Sequence, residues 1–305
     1  MSADLLAVTG ATGFVGQAVL DLAQRRGLEV RALARRPQEP RAGVEWVQGD
    51  LADKAALRRL VSRATVVVHI AGVVNAPDAA GFEAGNVVGT INVVEAALRA
   101  GVPRLVHVSS LSAREPQLSL YGASKLKGER LVKAAPLDWT VVRPPAVYGP
   151  RDTEMLELFR LARRGFMPLP PEGKLSIIHV GDLARLLLAL LPGGEAVTGQ
   201  VFEPDDGQPG GWTHHSLARA IGVAVGRRVT PMSLSPGVLR LGARADRFFR
   251  KDRAKLTEDR VGYMCHADWL AHEGAQPPAA LWRPRIESRM GLHATAAWYR
   301  EAGWL

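Results

Sequence analysis

The stretch Thr9-Gly10-Ala11-Thr12-Gly13-Phe14-Val15-Gly16 constrains this chain more than any other. It follows an apolar run, Leu5-Leu6-Ala7-Val8, that reads as a buried strand. It precedes Gln17 to Ala23, which reads as a helix. Strand, glycine turn and helix form the setting in which a glycine pattern marks a nucleotide site rather than a plain turn. There Gly10 allows the tight turn, Gly13 lets the backbone approach a pyrophosphate, and Gly16 lets the helix lie close on the sheet. The first N–H groups and positive end of that helix, with Thr12, Phe14 and Val15 in the turn, are the expected anion cradle.

The segments that follow keep alternating. Glu29 to Ala34, Val44 to Gln48, Thr65 to Ile70, Arg104 to Val108 and Trp139 to Arg143 read as strands. Ala52 to Arg63, Phe82 to Ala100 and Leu120 to Ala134 read as helices. That order predicts an α/β protein with a doubly wound parallel sheet, its ligand crevice at the carboxyl ends of the strands. With 305 residues, 47% of them hydrophobic, the chain can carry a second core. The reading is a dinucleotide-binding domain over 1–150 and a smaller, mainly helical substrate lobe over 151–305. Residues 176–203, with a strand near Gln200 to Glu203, are expected to return to the first sheet.

The strand ends carry the chemistry. The second strand ends Leu33-Ala34-Arg35-Arg36. An acid there grips the ribose 2′-OH of NAD, whereas an arginine accommodates the 2′-phosphate of NADP. NADP(H) is therefore the expected cofactor, with NAD(H) as the alternative. In Gly49-Asp50-Leu51, Asp50 is placed to bond an adenine amino group, and Ala71-Gly72 to pass close to the cofactor. Tyr121 and Lys125 stand four residues apart, on one helical face. A nearby ammonium lowers the pKa of a phenol, fitting it to exchange a proton with a carbonyl or alcohol oxygen. Ser109-Ser110 ends the strand just upstream and aims a hydroxyl at the same crevice.

With these motifs, Asn86-Val87-Val88-Gly89-Thr90-Ile91-Asn92, Arg143-Pro144-Pro145-Ala146-Val147-Tyr148-Gly149-Pro150 and His179-Val180-Gly181-Asp182, the chain resembles the short-chain dehydrogenase/reductase superfamily, on its extended or atypical branch. The resemblance spans residues 1 to about 205 and implies a Rossmann sheet. It implies Tyr121 as general acid/base, Lys125 on the nicotinamide ribose, Ser110 polarising the substrate oxygen, Asn86 near the nicotinamide, and Pro144, Pro145 and Val147 against its carboxamide. Only Leu111 to Leu120 separate serine from tyrosine, shorter than is usual on this branch, so Ser109 and Ser112 remain alternates for Ser110. Over its whole length, the basic C-terminal lobe and Trp-Tyr-Arg-Glu-Ala-Gly-Trp-Leu ending included, the chain is similar to bacterial relatives of a complex I accessory subunit, among them ceramide-reductase-like members. The resemblance thus implies an oxidoreductase acting on a carbonyl or secondary alcohol, with a lipid ketone as the narrower expectation. A nucleotide-sugar epimerase or dehydratase is the first alternative; Ala34 and Leu111 stand where NAD-binding and dehydratase members carry acids. A non-catalytic NADPH-binding assembly subunit is the second, and it has no need of Ser110, Tyr121 and Lys125.

The formal charge is +9. No nucleic-acid module and no metal-ligand spacing stand out, so the expected partner is a small molecule. No signal segment or spanning run is visible, and Cys265 is the only cysteine, which reads as cytoplasmic. One C-terminal helix widens that reading. Leu234, Val238, Leu241, Ala245 and Phe248 make an apolar stripe beside Arg240, Arg244, Arg247 and Lys251. From Arg240 to Lys255, seven basic residues face two acids, a net of +5. Such a helix docks on the protein core or lies on the anionic inner face of a membrane. The tryptophans of the ending are expected to be covered by the lobe or by a second subunit. The oligomeric state stays open.

Overall fold

A computed structural model describes residues 5–251, 254 and 256–305. Asp252, Arg253 and Lys255 of the basic segment lie outside the described residues.

The chain divides into two compact units. The first comprises Met1–Arg143, Leu183–Glu203 and Pro277–Trp282. It contains β1 (Leu5–Thr9), α1 (Phe14–Arg25), β2 (Glu29–Ala34), β3 (Val44–Gln48), α2 (Lys54–Val61), β4 (Val66–His69), α3 (Ala79–Phe82), α4 (Gly89–Arg99), β5 (Arg104–Val108), α5 (Leu120–Ala134) and β6 (Asp138–Val142). With Gln200–Phe202 these strands form a seven-stranded sheet, ordered 200–202, β6, β5, β4, β1, β2, β3. Every pairing in it is parallel. Of residues 176–203, then, Gln200–Phe202 lies in this sheet, while Ile177–His179 pairs with Ala146–Tyr148 of the second unit. β4 is buried along its whole length, as a strand covered on both faces must be. Val67, Leu57, Leu60, Val93, Ala97, Leu105 and Val141 fill one face of the core.

The order reverses at β1. The chain runs outward through β2 and β3, then crosses back to place β4 on the other side of β1. Such a switch point opens a crevice beyond the carboxyl ends of the two strands. Thr9 ends β1 opposite His69 of β4, which in turn stands opposite His107 of β5.

The helix expected from Phe82 to Ala100 is divided. Between α3 and α4 lies a π-helical turn, Glu83–Val88. Its Gly85 abuts Val73, and a carbon added to Gly89 would sit 2.6 Å from Leu51 Cδ1. Tertiary contact on this side of the helix, invisible in its periodicity, accompanies the widened turn. π-turns of this kind recur at functional sites.

The second unit comprises Pro144–Asp182, Pro204–Gln276 and Arg283–Leu305. Here α6 (Leu156–Arg163), α8 (His214–Val225) and α11 (Ser288–Glu301) enclose Phe159, Ile221, Leu292 and Tyr299, with α7 (Val180–Ala189) beginning at the end of its first segment. Besides helices, the unit carries, among the described residues, three small sheets of two or three strands. The aromatic ending belongs to its core. Tyr299 is fully buried, its hydroxyl donating to the Asp152 carbonyl over 2.7 Å, and Trp298 meets Trp304 edge-on at 5.0 Å. α9 (Pro236–Arg250) and α10 (Glu258–Met264) form a separate cluster through Leu239, Ala243 and Val261.

Candidate active site

The glycine turn is built for close backbone approach. Gly10 has a positive φ of 73°, and a carbon added to it would lie 2.6 Å from the Ala71 amide nitrogen. The ends of β1 and β4 are pressed together there, and only glycine fits. At Gly16 an added carbon would overlap the Gly10 carbonyl and stand 2.7 Å from Ala11 Cα. α1 opens with no side-chain cap and no acid in its first turn. Its orphan N–H groups and positive end are left for an anion, so Gly10, Thr12, Gly13, Phe14, Val15 and Gly16 fit a dinucleotide pyrophosphate. Ala34 is buried and pairs with Gln48 of β3, and Arg35 and Arg36 just beyond it are exposed. Asp50 is also exposed. Its Oδ1 accepts the amides of Ala52 (2.8 Å) and Asp53 (3.1 Å), which fixes the turn holding Leu51.

α5 carries Tyr121 and Lys125 one turn apart. Ser119 caps it, accepting the Gly122 amide. An added carbon on Gly122 would be 2.5 Å from the Ser112 carbonyl oxygen, so the first turn of α5 lies directly against the short helix Leu111–Arg114. Tyr121 on that turn is half-buried, its ring 6.2 Å from that of Phe82. One turn on, Lys125 is buried and its Nζ donates to the Val108 carbonyl over 2.8 Å, at the end of β5. Burial pulls its ammonium down to about 8, against the countering charge of Glu129. Burial, with Lys125 adding to it, also holds His69 down at about 3. His107 is depressed the same way, so a neutral imidazole pair lies beneath the lysine. Thr9 and Thr90 bracket His69, each hydroxyl within hydrogen-bond distance of one ring nitrogen.

The three serines separate by their partners. Ser109 donates its hydroxyl to Glu129 Oε1 over 2.6 Å. Ser112 donates its hydroxyl (2.8 Å) and its amide (3.2 Å) to Ser110 Oγ. Ser110 Oγ is thus an acceptor twice over and keeps its own proton to donate.

Asn86 does something its expected role did not include. Its amide oxygen accepts the Val73 amide (2.7 Å), and its amide nitrogen donates to the Val73 carbonyl and the Ser124 hydroxyl (2.9 Å each). It clamps the loop after β4 onto α5. An added carbon on Gly72 in that loop would be 3.1 Å from Asn86 Oδ1 and 3.4 Å from Lys125 Nζ. Asn86 thus sits beside Gly72, with Lys125 close on the same glycine. Pro144, Pro145 and Val147 belong to the second unit, where Val147 pairs with Ile178.

Sequence reading missed one network. Glu129 is fully buried on α5. Besides Ser109, it accepts from Arg143 Nε (2.8 Å) and Nη2 (2.7 Å), and Arg143 also reaches Glu203 at 3.3 Å. Burial pushes the Glu129 carboxyl up, but Arg143, Ser109 and Lys133 together pull it below the ordinary range. Its signal was present: an acid one helical turn after Lys125.

The sequence model of the NAD dependent epimerase/dehydratase family matches residues 6–203. Among known proteins, a ceramide reductase of Caulobacter vibrioides (strain NA1000 / CB15N) is 38% identical, covering 99% of this chain and 96% of that protein. A 2-alkyl-3-oxoalkanoate reductase of Stenotrophomonas maltophilia (strain K279a) is 29% identical, covering 95% of this chain and 98% of that protein. Of solved structures, the NAD complex of a UDP-glucose 4-epimerase from Thermus thermophilus is similar with a TM-score of 0.71 at 22% identity, covering 98% of this chain and 99% of that one. That likeness speaks for the fold alone. The chain belongs to the epimerase/dehydratase family, the extended branch of the short-chain dehydrogenase/reductases, and is an NAD(P)-dependent oxidoreductase.

Proposed function

We propose that this family member is an NADPH-dependent ketone reductase whose substrate is a long-chain lipid ketone of ceramide or sphingoid type. The observation that carries the chemistry is the setting of Lys125. It is buried, anchored on Val108 at the end of β5, and one helical turn from Tyr121. The substrate class is supported by the extent of similarity to the Caulobacter ceramide reductase.

Gly10, Thr12, Gly13, Phe14, Val15 and Gly16 would hold the pyrophosphate. Asp50 and Leu51 would meet the adenine, and Arg35 with Arg36 the 2′-phosphate. Ala71, Gly72 and Ser109 supply backbone near the nicotinamide end. When bound, the cofactor supplies a hydride to the carbonyl carbon. Tyr121 Oη gives a proton to the carbonyl oxygen, and Ser110 Oγ donates a hydrogen bond to that same oxygen. The Lys125 ammonium stabilises the phenolate left behind, and Asn86 keeps the loop that holds Gly72 in register. A long-chain lipid ketone resides in a bilayer, so the enzyme meets it at a membrane surface, the inner face of the cytoplasmic membrane. None of the described helices is long and apolar enough to cross one.

Cofactor choice tests the first half. The exposed guanidinium of Arg35 follows a position that lacks the acid. Titrations with NADPH and NADH should give tighter NADPH binding, and Arg35→Asp should reverse the order. Native protein that binds NADH as well or better contradicts the assignment.

A further inference from the structure

We infer that α9 is a lipid-docking element that lays its apolar face on an anionic bilayer. Successive residues of a helix turn by about 100°. Val238, Leu241, Ala245, Phe248 and Phe249 therefore share one side of α9, and Leu239 with Ala243 the other. The protein uses the second side. Leu239 and Ala243 are buried against Val261, with Leu234, Leu256 and Cys265 around them. The first side faces solvent, with Val238 51%, Leu241 68%, Phe248 79% and Phe249 81% exposed. Two neighbouring phenylalanines at that exposure form a patch that folding leaves uncovered.

Charge decides what covers it. α9 carries Arg240, Arg244, Arg247 and Arg250 against one acid, Asp246. Arg244 pairs with Glu258 on the exposed surface, and Arg250 with the half-buried Asp246. Arg244 borders the apolar arc beside Phe248, Arg240 and Arg247 lie between that edge and the buried side, and Lys251 follows the end of the helix. An apolar arc with arginines along one side, on a helix of four arginines and one acid, matches the boundary where acyl chains meet lipid phosphates. A second copy using the same face would set arginines against arginines, because a two-fold interface repeats one patch. An anionic lipid surface satisfies both parts of the face at once.

The inference rests on the reading of the enzyme as one that works at a bilayer. The native protein should co-sediment with vesicles containing phosphatidylglycerol and weakly or not at all with pure phosphatidylcholine. Salt should weaken that binding, because exposed charges are screened over about 10 Å at 0.1 M. Replacing Arg240, Arg244 and Arg247 with glutamate should lower partitioning by roughly 10²-fold or more. The double replacement Phe248→Ser and Phe249→Ser should abolish it. All five residues are exposed, so melting temperature and turnover of a short-chain ketone should be unchanged. Indifference of the native protein to anionic vesicles at low salt overturns the docking. So does vesicle binding unaltered by the serine pair, or a dimer in solution that this pair dissolves. Turnover of a lipid ketone in detergent micelles separates the two readings. Micellar turnover without vesicle binding removes α9 docking alone, whereas vesicle binding without lipid-ketone turnover removes the substrate reading and leaves the docking.

Discussion

Tyr121→Phe is expected to lower turnover by roughly 10²–10⁴, the usual worth of a general acid, while leaving cofactor binding and folding intact. The change removes one oxygen. The ring remains beside Phe82, and the backbone carbonyl of residue 121 still accepts the Ser124 hydroxyl. Lys125 keeps its bond to Val108. What disappears is the proton for the carbonyl oxygen, so the loss should fall on kcat, with the NADPH dissociation constant and melting temperature near native values. Steady-state kinetics beside a fluorescence titration of NADPH make the check. A variant with native turnover removes Tyr121 from the chemistry.

Glu129→Ala is expected to cost about 3–5 kcal/mol of stability, the usual effect of removing one partner of a buried ion pair. Arg143 would lose both of its short bonds and Ser109 its acceptor, inside a region where neither is well hydrated. Glu203 still reaches Arg143, which keeps the cost toward the lower end. Urea unfolding at neutral pH measures it, and a loss below about 1 kcal/mol would contradict the network's role. The milder Glu129→Gln tests the link to catalysis. Glu129 is the charge that opposes the burial of the Lys125 ammonium. Without it that ammonium gives up its proton at lower pH, so the alkaline fall of ketone reduction should move down from about 8. The stability terms have opposite signs. The folded Lys125 value lies below the ordinary 10.5, so the cost of its burial is full below about 8 and is relieved as pH rises toward 10.5. The depressed Glu129 carboxyl contributes stability above its unfolded value and loses it as pH falls through the folded one.

The parts of this molecule that were legible in its sequence are those set by local pattern. The glycine turn could be read because Gly10 and Gly16 are demanded by contacts within one strand–turn–helix unit. Tyr121 and Lys125 could be placed on one helical face because four residues are one helical turn, and the predicted helix from Leu120 to Ala134 is the observed α5. What escaped depends on partners distant in the chain. Nothing local says that Asn86 will spend its amide on Val73, or that a π-turn will carry it. Nor does anything local say that Ser109 will give its hydroxyl to Glu129, twenty residues on. In the sequence α9 shows one apolar stripe, through Leu241 and Phe248, fit to dock on the core or on a membrane. The structure instead buries Leu239 and Ala243, because Val261 of α10 lies on that side. Strands as short as Lys174–Leu175 and Trp212–Thr213 carry too few residues for a period of two to register.

Net reduction of a lipid ketone by NADPH leaves an isotopic record that can be read in the product. The enzyme would be incubated with NADPH carrying deuterium at the transferable position and a long-chain keto-ceramide. One deuterium should appear on the carbinol carbon for each NADPH consumed, with NADPH preferred to NADH and the reaction suppressed in Tyr121→Phe. Interconversion of a nucleotide sugar with no net cofactor consumption, and no deuterium in the lipid product, would rule out ketone reduction by this enzyme.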